Sequence, residues 1–95
     1  MMNNAQKKAL KEHAHHIKSF ISLGNAGITP NFIKEVIHTI NAHELIKIKI
    51  VGETKAIKQQ IAQEISSLTE SEFIQIIGNQ ATFFKLNPEK NKYNV

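Results

Sequence analysis

The run Glu44-Leu45-Ile46-Lys47-Ile48-Lys49-Ile50-Val51 constrains the fold more than any other stretch of this chain. Successive side chains of a strand point to opposite faces, so Ile46, Ile48 and Ile50 share one face and Lys47 and Lys49 the other. The isoleucine face must be buried; the lysine face calls for water or a charged partner. Any sheet built on this strand therefore has a dry side and a wet side. That argues against helices covering both faces and for a two-layer arrangement, helices on one face and the other at least partly open.

The flanking segments supply the remaining elements. From Asn3 to Ile17 a short, weakly amphipathic helix is expected, with Asn3 and Gln6 as a capping box and Leu10, Ala14 and Ile17 as a thin apolar stripe. Lys7, Lys8 and Lys11 occupy the rest of its surface, as a solvated face or as a contact for a polyanion. Lys18 to Leu23 reads as a first strand and Pro30 to Ala42 as the helix that follows, with Phe32, Ile33, Val36, Ile37 and Ile40 on its buried face. After the central strand, Gly52-Glu53-Thr54 breaks the chain, and Thr54 caps a third helix expected to turn Ile57, Ile61, Ile65 and Leu68 inward.

A hairpin closes the domain: Glu72 to Ile77, a Gly78-Asn79 turn of the type II′ kind, then Gln80 to Leu86. A two-residue loop sets Ile77 against Gln80, Ile74 against Phe83, Phe73 against Phe84 and Glu72 against Lys85. On that register Ile74, Ile76, Ala81 and Phe83 face the core, while Phe73, Gln75, Gln80, Thr82 and Phe84 face the wetter side. Phe73 and Phe84 there could stack on bases or form an aromatic cross-strand pair covered by the first helix. The order is α-β-α-β-α-β-β, a two-layer α/β domain with a four-stranded mixed sheet over residues 1–86, followed by a polar tail, 87–95, expected to be flexible.

Between the first strand and its helix lies Leu23-Gly24-Asn25-Ala26-Gly27-Ile28-Thr29-Pro30. The glycines allow a sharp turn and a close approach by a ligand, and Thr29 at the N-cap with Pro30 at the first helical position starts a helix at once. Free N–H groups and a positive dipole end beside the loop suit an anion such as a phosphate, although an ordinary strand-to-helix turn would read the same way. Lys34 lies off the buried face of its helix and can lean back toward the loop. Right-handed strand-helix-strand units bring the loops after the first two strands to one sheet edge, where ligands of open α/β sheets collect. Lys34, Lys55 and Lys58 would then ring the glycine loop.

Composition narrows the partner. All twelve basic residues are lysine, with no arginine, aspartate or cysteine, and the formal net charge is +4. This balance favours nucleic acid or another polyanion, read by backbone and shape in the absence of arginine forks. His13, His15 and His16 lack the cysteine or carboxylate company of a zinc site, so no metal or other cofactor is expected. No apolar signal core or membrane-length run occurs, and the expected location is cytoplasmic, with no membrane partner.

Taken together, Leu10, Ala14-His15, Lys18, Gly24-Asn25-Ala26-Gly27, His43-Glu44-Leu45-Ile46-Lys47-Ile48-Lys49, Ile77-Gly78 and Phe84-Lys85 resemble the CRM domain (chloroplast RNA splicing and ribosome maturation) family, specifically its stand-alone bacterial YhbY-type members. The resemblance covers nearly the whole chain. It implies an RNA-binding α/β domain similar in fold to the C-terminal domain of translation initiation factor three, associated with precursors of the large ribosomal subunit. It also implies an RNA site at Gly24, Asn25, Ala26 and Gly27 with the basic surface around it; Lys34, Lys55 and Lys58 at the sheet edge, with Lys7, Lys8, Lys11 and Lys18, are the lysines expected to supply that charge. Many members carry a basic residue inside the loop, where Asn25 and Ala26 are neutral, and the usual Tyr-Arg pair of the last strand is Phe84-Lys85 here. Lys47, Lys49, Phe84 and Lys85 make a second candidate surface for RNA or for a ribosomal protein, and the chain is expected to be a monomer when free. One alternative is an adaptor docking through the open sheet face. The other, an enzyme for a small phosphorylated ligand, finds little support: there is no Gly-x-Ser-x-Gly elbow, and the only tyrosine is Tyr93.

Overall fold

A computed structural model describes residues 3–18, 21–24, 27–90 and 93. Its elements follow the order α1 (Asn4–Ala14), β1 (Ile21–Ser22), α2 (Pro30–His43), β2 (Leu45–Lys49), α3 (Lys55–Thr69), β3 (Glu72–Ile77) and β4 (Gln80–Phe84). They form a mixed four-stranded sheet of order β1-β2-β4-β3. β1 pairs with β2 in parallel and β4 is antiparallel to both its neighbours.

Local signals set the helix starts. The Asn3 carboxamide oxygen accepts from the Gln6 N–H at 2.8 Å, and the Gln6 side chain accepts in return from the Asn3 N–H at 2.9 Å. Thr29 and Thr54 cap α2 and α3 through their hydroxyls, each accepting from the N–H three residues on at 3.1 Å. The α1 stripe stops earlier than its pattern predicts. Past Ala14 the bonds tighten to His16 N–H on the His13 carbonyl and Ile17 N–H on the Ala14 carbonyl, and the helix unwinds. β1 is shorter than the expected Lys18 to Leu23 strand among the described residues; Ser19 and Phe20 lie outside them.

The core lies between the sheet and the pair α2, α3, and is built on Phe32, Val36, Ile40, Ile46, Ile48 and Phe83. In α3 the inward face differs from the expected one. Ala62, Ile65 and Thr69 are buried, while Ile57 is 40% and Leu68 51% exposed. At 100° per residue the buried stripe is turned by roughly 80° from the expected apolar stripe. Small Ala62 and Thr69 face inward, and the Thr69 hydroxyl is satisfied by the Ile65 carbonyl at 2.7 Å.

The hairpin carries a second departure. Gly78 takes φ +58° and Asn79 keeps a negative φ, as a type II′ turn requires, and Ile77 faces Gln80 as expected. Between Phe73 and Gln75 the register shifts, so Phe73 faces Phe83 and Glu72 faces Phe84. This β-bulge exchanges the two faces at Phe73 and Ile74. Phe73 joins the core, its ring centroid 5.7 Å from that of Phe83, and Ile74 goes to the opposite side. There it meets Leu10, Ala14, Leu45 and Phe84 in a second buried cluster beneath α1. The second sheet face is thus covered by α1 at one end and open over the rest. The polar segment after 86 is anchored at described points: the Asn87 N–H donates to a Glu44 carboxylate oxygen at 3.1 Å, and Tyr93 packs at the edge of the α1 cluster.

Candidate nucleic-acid interface

Parallel pairing of β1 with β2 puts the glycine loop beside the end of β2, and the backbone fixes their order across the sheet edge. Leu23 N–H donates to the Lys49 carbonyl at 2.9 Å, and Ile50 N–H donates to the Asn79 carbonyl at 2.7 Å. The glycine loop, the β2–α3 loop and the β3–β4 turn therefore stand side by side, about one strand spacing of roughly 4.8 Å apart.

Gly24 and Gly27 bracket a tight turn in which the Gly27 N–H donates to the Gly24 carbonyl at 3.1 Å. Gly27 has φ +76° and needs to be glycine; Gly24 does not have a positive φ. Asn25 and Ala26, expected inside the RNA site, lie outside the described residues. The start of α2 is more fully satisfied than the sequence predicts. Thr29 takes the Phe32 N–H with its side chain and the Ile33 N–H with its carbonyl, and Pro30 has none to give. Only the Asn31 N–H of that first turn has no partner among the described residues.

The lysines divide among several places. Lys34 is exposed in the second turn of α2. Lys55 and Lys58 border a small concavity with Ile76, Ile77 and Gly78, at the hairpin side of the edge. Lys58 does not turn to the glycine loop as expected: its ammonium donates to the Gly78 carbonyl at 2.8 Å and to the Asn79 carboxamide oxygen at 3.2 Å. Gly52 makes room for this, since a Cβ there would stand 3.0 Å from Lys58 Cγ. Lys8, Lys11 and Lys18 are exposed and Lys7 is half-buried, on or just beyond α1 and apart from the glycine edge. Lys85 follows β4, so it lies at the opposite edge, where its N–H donates to the Glu44 carbonyl at 2.9 Å.

The open part of the second face is a concavity of ≈ 590 Å³ floored by Lys47, Lys49, Gln75, Gln80 and Thr82 and bounded by His15 and Asn79. Its rows follow the register: Lys47, Thr82 and Gln75 lie side by side, then Lys49, Gln80 and Ile77. The alternation of β2 and β4 placed most of these residues correctly. His15 and Asn79 were missed; only the end of α1 and the hairpin turn, seen against the sheet, reveal them. Phe84, expected on this surface, is 3% exposed beneath α1 and can neither stack on a base nor meet a partner. Lys47 is partly spent within the fold, donating to the Ile17 carbonyl at 3.0 Å. Among the described residues no group of three or more His, Cys, Asp or Glu is placed to hold a metal ion, and no helix is long and apolar enough to cross a membrane.

Residues 2–85 match the CRS1 / YhbY (CRM) domain. The chain is 28% identical over 92 residues to a Bacillus subtilis protein named "Probable RNA-binding protein YqeI", spanning 97% of this chain and 96% of that one. It is 33% identical over 88 residues to a Haemophilus influenzae protein named "RNA-binding protein", spanning 93% and 89%. Its backbone is similar to the solution structure of a hypothetical Staphylococcus aureus protein described as a candidate RNA binder, with a TM-score of 0.81, 31% identity, and coverage of 92% of this chain and 91% of that one.

Proposed function

The chain belongs to the CRS1/YhbY (CRM) domain family, and from that premise we propose that it binds RNA at the sheet edge formed by Gly24 to Gly27, the start of α2 and the neighbouring lysines. In this reading its RNA is ribosomal, and it acts during assembly of the large ribosomal subunit. The observation that carries the site is the parallel pairing of β1 with β2, which sets the glycine loop next to Lys49 and the β2–α3 loop. Gly24 and Gly27 bring no side chain to the two ends of the loop, which lets a phosphate approach the main chain there, and the Asn31 N–H adds a donor at the positive end of α2. The charge comes from Lys34, Lys49 and Lys55, as the loop itself has none. Lysine is a compact point charge, so this edge holds the RNA backbone and does not read base edges.

Neutralising about four phosphates should make log K fall with log salt at a slope of roughly −3 to −4. Filter binding of an RNA fragment across a salt series measures it, and an affinity indifferent to salt would overturn the reading. The ribosomal assignment is tested by crosslinking in cells with sequencing of the attached RNA, alongside gradient sedimentation. Crosslinks confined to other RNAs, with no protein travelling beside large-subunit precursors, would remove it.

A further inference from the structure

Beyond the glycine edge, the open face of the sheet has a chemistry of its own. Its concavity is lined by two lysines and a histidine, with no carboxylate and with the His15 imidazole as the one ring in its lining. Beside the lysines of β2, on β4 and β3, lie the carboxamides of Gln80 and Gln75, which make no hydrogen bond among the described residues. Thr82 forms the floor at 1% exposure, and its hydroxyl also has no described partner. A buried hydroxyl left without a bond costs about 1–3 kcal/mol, so a ligand that reaches it is favoured. The concavity is contiguous with the glycine edge, because Lys49 lies in its second row and holds Leu23 through its carbonyl.

We propose that this face is a base-reading subsite for single-stranded RNA, in which Gln75, Gln80 and Thr82 hydrogen-bond the edges of one or two unpaired bases while Lys49 and His15 face the adjoining phosphates. The proposal rests on the RNA reading above and divides the work: the edge holds backbone, the face reads sequence. Charge complementarity selects a polyanion, and the absent carboxylates disfavour a basic protein. The volume of ≈ 590 Å³ falls in the range of about 300–1,000 Å³ that accommodates a small molecule, enough for one or two splayed bases. Carboxamides donate and accept at once, as the edges of unpaired bases do, so hydrogen bonding carries the recognition and no Phe, Tyr or Trp in the lining offers a broad stacking platform.

The test measures affinity for single-stranded RNA homopolymers of about 12 nucleotides and for a duplex of similar length. The proteins are the wild type, the double variant Gln75→Ala/Gln80→Ala and Gly24→Asp. The wild type is expected to prefer one base by about tenfold or more, and the double variant to lose that preference, with duplex affinity and melting temperature unchanged. Preference retained in the double variant, or absent in the wild type, overturns the subsite. Gly24→Asp should weaken every probe together. If it weakens none while the preference still depends on Gln75 and Gln80, the edge reading fails and the subsite stands. If the wild type retains no RNA even at low salt, both fall.

Discussion

A Cβ at Gly24 would meet no atom within 4 Å and its backbone needs no positive φ, whereas Gly27 is held at φ +76° with the same open space around it. The two glycines can therefore be tested for different things. Gly24→Asp adds a carboxylate to the site without backbone strain, so RNA affinity should fall several-fold or more while the urea midpoint stays put. Gly27→Asp should weaken binding and also cost about 1 kcal/mol of stability, and Gly27→Asn should show the strain without the charge. Equal binding by all three variants would move the site elsewhere. Tyr93 offers a second residue-level test. Its ring lies 4.9 Å from that of His13 and 6.4 Å from that of Phe84, and its hydroxyl pKa is raised above the ordinary 10.0, first by burial and second by the Glu44 carboxylate. The fold thus prefers the neutral phenol: this contribution is complete below pH 10 and is lost as pH rises through the folded value. With one tyrosine and no tryptophan in the chain, phenolate absorbance reports Tyr93 alone. The folded midpoint should exceed the denatured one, and Glu44→Gln should move it part of the way back. Identical folded and denatured midpoints would detach Tyr93 from the α1 cluster.

Among the elements, α1 and α3 give opposite expectations for residues of similar type. Leu10 is fully buried under α1 against Leu45, Ile74 and Phe84, so Leu10→Ala should cost about 2–5 kcal/mol in urea unfolding. Leu68, although on the apolar stripe of α3, is 51% exposed, and Leu68→Ala should stay within about 0.5 kcal/mol. A large loss at Leu68 would mean that α3 is turned the other way. This contrast also marks how far the sequence could be read. Caps, the period-two strand and the Gly-Asn turn are decided by neighbours a few residues apart, and all of them stood. The rotation of α3 and the bulge at Ile74 are decided across the fold. At the bulge, both sheet faces need an apolar side chain beside Phe83 and Phe84, and an extra residue in β3 supplies Phe73 to one and Ile74 to the other. Strict alternation could not foresee that. The candidate surfaces were legible in the same measure: alternation put Lys47, Lys49, Gln75, Gln80 and Thr82 on the second sheet face but left Phe84 there too, without the helix that buries it, and topology brought the loops after β1 and β2 to one edge. The partners of Lys47 and Lys58 are carbonyls 30 and 20 residues away, which no local pattern records.

At the scale of the whole molecule, a net charge of +4 is modest, and its distribution matters more than its sum. Lys49 and Lys55 stand at the glycine edge while Lys85 follows β4 at the opposite one, so a backbone held at the glycine edge engages the first two and leaves the third in solvent. Lys49→Ala and Lys55→Ala should each reduce the salt slope by about 1, and Lys85→Ala should leave it unchanged. Lys58 should fall between them, because removing it also releases the hairpin turn it holds through Gly78 and Asn79. Glu53 provides the converse test. It is exposed in the loop just before α3, where a carboxylate suits the helix dipole but opposes an incoming phosphate. Glu53→Gln should therefore tighten RNA binding at low salt by a few-fold, with the gain fading as the Debye length shrinks from about 10 Å at 0.1 M salt to 3 Å at 1 M. The same slope for all four lysine variants, with no gain at Glu53, would mean that RNA follows the overall charge of the molecule and that no edge is set aside for it.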